Sequence, residues 1–142
     1  QEFDEIDMMI RQFQNTMTRA RFSSVPVVSA PAGLALGGGC ELSLHCDAIQ
    51  AHAETYIGLV EVGVGVIPGG GGTKEFTLRA SDEYADGDPE LNTLQKYFMN
   101  IATAKVATSA HEAKEMNIIK PGDTITLNRA RLLADAKQRV IE

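Results

Sequence analysis

The sequence predicts an α/β fold, and three observations carry that expectation. Short apolar runs of strand type, at 26–30 and 48–53, alternate with stretches whose apolar residues recur at helical spacing. Two glycine-rich segments, 33–39 and 58–72, lie between those patterns, where connections belong. No internal repeat or linker divides the 142 residues, so a single domain is expected over 1–142.

Taken in order, Phe3, Ile6, Met9, Ile10, Phe13 and Met17 predict an amphipathic helix over 3–21. Pro26-Val27-Val28-Ser29-Ala30 is an apolar run entered by proline and reads as a buried strand. Gly33 to Gly39 reads as a loop, with a short helix, Cys40 to Cys46, directly after it. Ala48 to Ala53 roughly alternates apolar and polar residues and returns as a strand. The second glycine-rich stretch holds Glu61 and the breaker Pro68. Thr73 to about Leu78 looks helical, and the polar, acidic residues 81–88 read as an exposed loop. Asp88-Pro89 predicts an N-cap followed by proline at the first helical position, with Leu91, Leu94, Phe98 and Ile101 on one face. Ser109-Ala110-His111-Glu112 has the capping-box pattern. Its helix is expected to stop at Asn117, a residue that tolerates a left-handed backbone. After the turn Pro121-Gly122-Asp123, a last helix is expected from Asn128, with Ala130, Leu133, Ala136, Val140 and Ile141 apolar.

Composition narrows the function classes. A net charge of −6 argues against a nucleic-acid surface, which needs clustered Lys and Arg. It does not bar a phosphate-bearing ligand, which a few local cations can hold. No apolar stretch is long enough to span a membrane. Cys40 and Cys46 form neither a metal-ligand set nor a disulfide framework, so a cytoplasmic location is the default expectation. His45, His52 and His111 lack metal-ligand spacing and read as core or surface residues, so no metal is expected. Gly69 to Lys74 fails the phosphate-loop pattern because Thr73 precedes Lys74. No Gly-x-Gly-x-x-Gly follows a strand, so NAD is not expected on this segment.

Chemistry concentrates in the two glycine-rich segments. Gly37-Gly38-Gly39-Cys40-Glu41 brings bare backbone to the start of a helix, whose first amides lack intrahelical partners and carry the positive end of its dipole. Such a place can hold a developing oxyanion, with the Glu41 carboxylate beside it. The same position could lower the pKa of the Cys40 thiol, although packing is the expected role for that residue. Glu61 is the only charged residue between Glu54 and Lys74. A lone carboxylate in so apolar a segment is solvated, paired, or kept partly neutral in a cleft, and the last state suits a general acid.

Together these residues resemble the crotonase (enoyl-CoA hydratase/isomerase) family. The match is dense over PVVSAPAGLALGGGCELSLHCDAIQAHAETYIGLVEVGVGVIPGGGGT, residues 26–73, and extends to a helix and following strand over 109–119. Gly58-Leu59-Val60-Glu61 and Ile67 to Glu75 resemble more closely the hydratase part of bacterial two-domain β-oxidation proteins, which also carry an NAD-dependent 3-hydroxyacyl-CoA dehydrogenase. The resemblance implies a partial crotonase-type ββα spiral without its N-terminal strands. It implies Gly38, flanked by Gly37 and Gly39, as an oxyanion donor to a thioester carbonyl. It implies Glu41 as the base on water and Glu61 as the acid at the α carbon. The implied substrate is an acyl-CoA thioester, with NAD confined to the dehydrogenase part. A double-bond isomerase and a non-catalytic interaction module are the rival readings.

Gln1 stands where an initiator Met would, and is read as a cut within a longer chain. The family's second oxyanion donor, in an Ala-Gly-Ala-Asp-type loop, has no counterpart before Gly33. Residues 1–142 are therefore expected to be the central and C-terminal part of one domain, inactive alone, with open apolar edges buried in a homo-oligomer.

Overall fold

A computed structural model describes residues 2–142; Gln1, read above as an internal cut, lies outside the described residues. The chain begins with helix α1 (Phe3–Arg21), as its spacing predicts, with only Met17 fully buried. Strand β1 (Val28–Ser29) follows, then β2 (Gly33–Leu36), helix α2 (Gly38–His45), β3 (Ala48–His52) and β4 (Thr55–Gly58). Helices α3 (Gly72–Glu83), α4 (Glu90–Ala102) and α5 (Ala110–Glu115) lead to strand β5 (Thr124–Thr126) and helix α6 (Leu132–Ile141).

Strands β1, β3 and β5 form one parallel sheet, in the order β1-β3-β5, and β2 pairs parallel with β4 in a second. Successive strands thus fall alternately in the two sheets, and the chain advances as a spiral of strand pairs. An isolated antiparallel bridge, Ile57 to Ala107, ties β4 to the segment before α5. The core is one cluster in which Leu44 of α2, Ile49 and Ala51 of β3, Ile57 of β4, Phe76 and Ala80 of α3, and Tyr97 of α4 are buried together. Phe76 and Tyr97 meet edge to face, centroids 5.3 Å apart, a favoured aromatic geometry.

Several expectations need correction. Gly33 to Leu36 is a strand rather than a loop, and its partner β4 goes unread in the sequence. Both are four residues long and bounded by glycine, so alternation has no room to show. Helix α3 runs on to Glu83, taking the first residues of the expected loop. Pro89, not Asp88, occupies the cap of α4, because the Asp88 carboxylate instead accepts from the Ala85 amide at 3.0 Å. The predicted apolar face of α4 exists, but Leu91, Leu94 and Phe98 are exposed, and Tyr97 is the residue that reaches the core. The strand after α5 lies beyond the turn, at β5, while Ile118 and Ile119 are buried without strand pairing. Helix α6 starts at Leu132 after a 3-10 turn, and buries Leu132 and Ala136 while Leu133 and Ile141 are exposed.

Two expected caps are present. Ser109 accepts from the Glu112 amide at 3.0 Å, while Glu112 reaches back to the Thr108 amide at 2.7 Å, one residue short of a reciprocal box. Asn117 adopts φ 54° just past α5, and its side-chain amide donates to the Tyr97 hydroxyl at 2.9 Å.

Candidate active site

Two helix starts converge on one carboxylate. Gly37, at φ 55°, turns the chain into α2, and Gly71, at φ 115°, turns it into α3. Both backbones lie where glycine alone is unstrained. Glu41 stands in the first turn of α2, and its Oε1 accepts a 3.0 Å hydrogen bond from the N–H of Gly72, the first residue of α3. Each helix start favours negative charge. The Glu41 side chain is nevertheless withdrawn from water, at 1% exposure. Burial is the dominant influence and pushes its pKa up; the Gly72 amide pulls it down, and the charge of Glu61 adds to the rise.

The first helical amide of α2 with an acceptor inside the helix is that of Glu41, on the Gly37 carbonyl at 2.9 Å. The amides of Gly38, Gly39 and Cys40 are left unclaimed by the helix. Glu61 opens a 3-10 turn, Glu61–Val64, and leans on the same glycine turn: a Cβ on Gly37 would lie 3.1 Å from Glu61 Oε1. Its other oxygen, Oε2, is buried without a hydrogen-bond partner among the described residues. A buried, unmatched carboxylate oxygen is costly and marks a place where a ligand group would be satisfied.

Helix α1 closes one side. A Cβ on Gly38 would lie 3.0 Å from Phe13 Cζ; one on Gly70 would collide with the same ring and lie 2.5 Å from Glu41 Oε2. The Phe13 ring therefore sits between the two glycine segments. Gln14 beside it donates to the Gly69 carbonyl at 2.8 Å. The structure thus brings Glu41, Glu61, Gly37 and Gly38 together. Gly39 is the exception, since a Cβ there would meet nothing within 4 Å. Cys40 is fully buried, and burial pushes its thiol pKa up, so the helix start does not activate it.

Phe13, Gly70 and Gly72 escaped the sequence reading. Gly72 was open to the rule that selects Gly38, a glycine run directly before a helix. Phe13 carried no such signal, because its spacing announces a helix face and nothing about what that face covers.

A second charged centre occupies the other end of α2. Glu75 of α3, buried to the same degree as Glu41, pairs with Arg21 of α1 and with Lys74 and Arg79 at 3.2 Å each, and lies 3.4 Å from Nε2 of His45. Burial alone would raise the Glu75 carboxyl; Arg21 and Lys74 outweigh it and hold it low. Among the described residues no group of three or more His, Cys, Asp or Glu side chains could hold a metal ion, and no helix is long and apolar enough to cross a membrane.

A family model described as enoyl-CoA hydratase/isomerase matches residues 3–87. The chain is 51% identical over 136 residues to a probable 3-hydroxyacyl-CoA dehydrogenase of Bacillus subtilis, covering 96% of this chain and 17% of that protein. It is 42% identical over 81 residues to a putative fatty acid oxidation complex trifunctional enzyme of Rickettsia felis, covering 57% of this chain and 11% of that one. A crystal structure of enoyl-CoA hydratase from Bacillus anthracis, 28% identical, superposes on 99% of this chain and 48% of its own with a TM-score of 0.77. The chain spans less than a fifth of these curated relatives and about half of the solved hydratase.

Proposed function

The chain belongs to the enoyl-CoA hydratase/isomerase family, and on that premise we propose that its Glu41–Glu61 pair hydrates trans-2-enoyl-CoA to 3-hydroxyacyl-CoA in fatty-acid β-oxidation. Residues 1–142 are in this reading the central and C-terminal part of one crotonase-type domain in a longer 3-hydroxyacyl-CoA dehydrogenase. The shares of the relatives that the chain spans support it. Any NAD chemistry then belongs to other parts of that protein.

The observation that carries the proposal is the unpartnered, buried Oε2 of Glu61 on the glycine turn that opens the helix bearing Glu41. Hydration of a conjugated thioester needs a base on water, an acid at the α carbon and hydrogen-bond donors at the carbonyl oxygen. Glu41 takes a proton from water as the oxygen bonds to the β carbon. The π electrons move toward the thioester oxygen, where the Gly38 amide at the start of α2 receives the charge. Glu61 then delivers a proton to the α carbon. The raised pKa of Glu41 suits it for accepting that proton.

The test uses the full-length protein and crotonyl-CoA, following loss of the ultraviolet absorbance of the conjugated thioester. Glu41→Gln and Glu61→Gln are each expected to slow hydration by about 100- to 10,000-fold. Near-normal turnover in either variant removes that residue from the mechanism.

The partner class proposed is a second copy of the chain. Leu91, Leu94, Phe98 and Met99 of α4 and Val64, Val66 and Ile67 of the second glycine segment are exposed apolar residues that association would cover. Light scattering is expected to find an oligomer, and a stable monomer at low concentration would count against it.

A further inference from the structure

His45 ends α2 with its side chain 1% exposed. Its Nδ1 lies 2.7 Å from the main-chain oxygen of Glu41, and its Nε2 lies 2.9 Å from Lys74 Nζ. A carbonyl only accepts, and an ammonium only donates. The ring is therefore the neutral tautomer with its hydrogen on Nδ1, donating to Glu41, and its lone pair on Nε2, accepting from Lys74. Burial pushes the pKa of His45 down, in keeping with that neutral form.

The ring also occupies space that no side chain on the neighbouring turn could share. A Cβ on Gly71 would lie 2.8 Å from His45 Cε1 and 2.9 Å from Nε2. Gly71 caps α3 and immediately precedes Gly72, whose N–H holds Glu41 Oε1. One imidazole thus touches both the backbone of Glu41 and the turn that delivers the hydrogen bond to its carboxyl.

We propose that His45 is a positioning residue, whose ring, held between the Glu41 carbonyl and Lys74, sets the Gly71–Gly72 turn against the Glu41 carboxyl. The proposal deepens the hydratase reading and rests on Glu41 being its base. The charged groups facing the ring are Arg21 from α1 and Lys74 and Glu75 from α3, with Arg79 reaching it through Glu75. A second proton on the ring would remove the lone pair that Lys74 needs and set two cations against each other, so the arrangement requires neutral His45.

The test is made in the full-length protein with His45→Ala, His45→Gln, Lys74→Met and the His45→Ala/Lys74→Met double variant. His45→Ala is expected to lower kcat for crotonyl-CoA by about 10- to 100-fold, with KM within about twofold, as a slight misplacement of a reacting group does. His45→Gln, whose side-chain oxygen can still accept from Lys74, recovers part of that loss. The double variant is no slower than His45→Ala, because both changes break one link. Hydrogen exchange supplies a readout independent of turnover: the Gly72 amide exchanges faster in His45→Ala while the amides of β3 keep their protection. Unchanged kcat, additive losses, or exchange that quickens equally across the molecule would overturn the proposal. If His45→Ala does not fold, Lys74→Met decides by the same two readouts. If the unaltered protein does not hydrate crotonyl-CoA while Gly72 exchange still responds to His45, the hydratase reading fails and the link from His45 to the Gly71–Gly72 turn stands; if Glu41→Gln retains turnover, the positioning role falls with Glu41. If Glu41→Gln abolishes turnover while His45→Ala moves neither kcat nor Gly72 exchange, the positioning role alone falls.

Discussion

Glu41 and Glu75 are buried to the same extent, on adjacent helices, and their surroundings pull them in opposite directions. Glu75 is ringed by Arg21, Lys74 and Arg79, and its carboxyl is held low. Glu41 makes no ion pair among the described residues; it is held by the Gly72 amide, and burial drives its carboxyl up. Withdrawal from water alone therefore does not decide how readily a carboxylate takes a proton. Counter-charge does: a compensated carboxylate locks elements together, whereas one held by backbone dipoles remains available to take a proton.

The largest effect expected from this contrast is on turnover. Glu41→Gln should cost about 100- to 10,000-fold in hydration while leaving the fold intact. Glu75→Gln should do the reverse. It strands the buried Arg79 and the half-buried Arg21, at a cost of about 3–5 kcal/mol in urea unfolding. A Glu75→Gln protein as stable as the wild type would break the contrast.

The next effect is in the pH dependence of stability. Glu75 has a folded pKa below its unfolded one. It contributes stability that is present above the ordinary carboxylate range and is lost as pH falls through the folded value. Glu41 has a folded pKa above its unfolded one. Its contribution is present at low pH and lost as pH rises from the ordinary carboxylate range through the raised folded value. Urea titrations at a series of pH values should show Glu75→Gln flattening the acid limb and Glu41→Gln removing the decline on the higher-pH side. Equal slopes in the two variants would leave no contrast to explain.

The smallest effects compare two glycines beside Glu41. Gly37→Ala meets both a left-handed backbone, costing about 1–2 kcal/mol, and the Glu61 carboxyl at 3.1 Å. Gly39→Ala enters open space on a helical backbone and should be neutral, or stabilising by up to about 1 kcal/mol. Thermal melts of the two proteins order them, and a Gly39→Ala loss as large as that of Gly37→Ala would contradict the geometry.

How much of this was legible in the sequence depends on how far apart the partners lie. Helix α1, the short α2 and the Asn117 stop follow from spacing and backbone preference within a few residues. The Gly37–Glu41 turn was legible for the same reason, because a helix start and its carboxylate are local to one another. The Glu75 centre was not: Arg21 and Glu75 are 54 residues apart, and no local pattern records that they meet. His45 was passed over as a core or surface residue. Its burial among core residues fits that reading, while the two hydrogen bonds that orient its ring join positions which only the tertiary fold brings together. On α4, periodicity revealed an apolar face but not its direction, and the core took Tyr97 instead of Leu91 or Phe98. The short strands β2, β4 and β5 are defined by their pairing more than by their own residues.

The parallel pairing of every strand has a consequence for the order in which the molecule can be built. No ladder here can be closed by a tight turn. Gln50, Ala51 and His52 must wait for Thr124, Ile125 and Thr126 before that side of β3 is sealed. During synthesis on the ribosome, β3 therefore carries a raw main-chain edge until Thr124 to Thr126 emerge. That interval is when a nascent chain of this kind is most open to sticking to its neighbours and most in need of a chaperone.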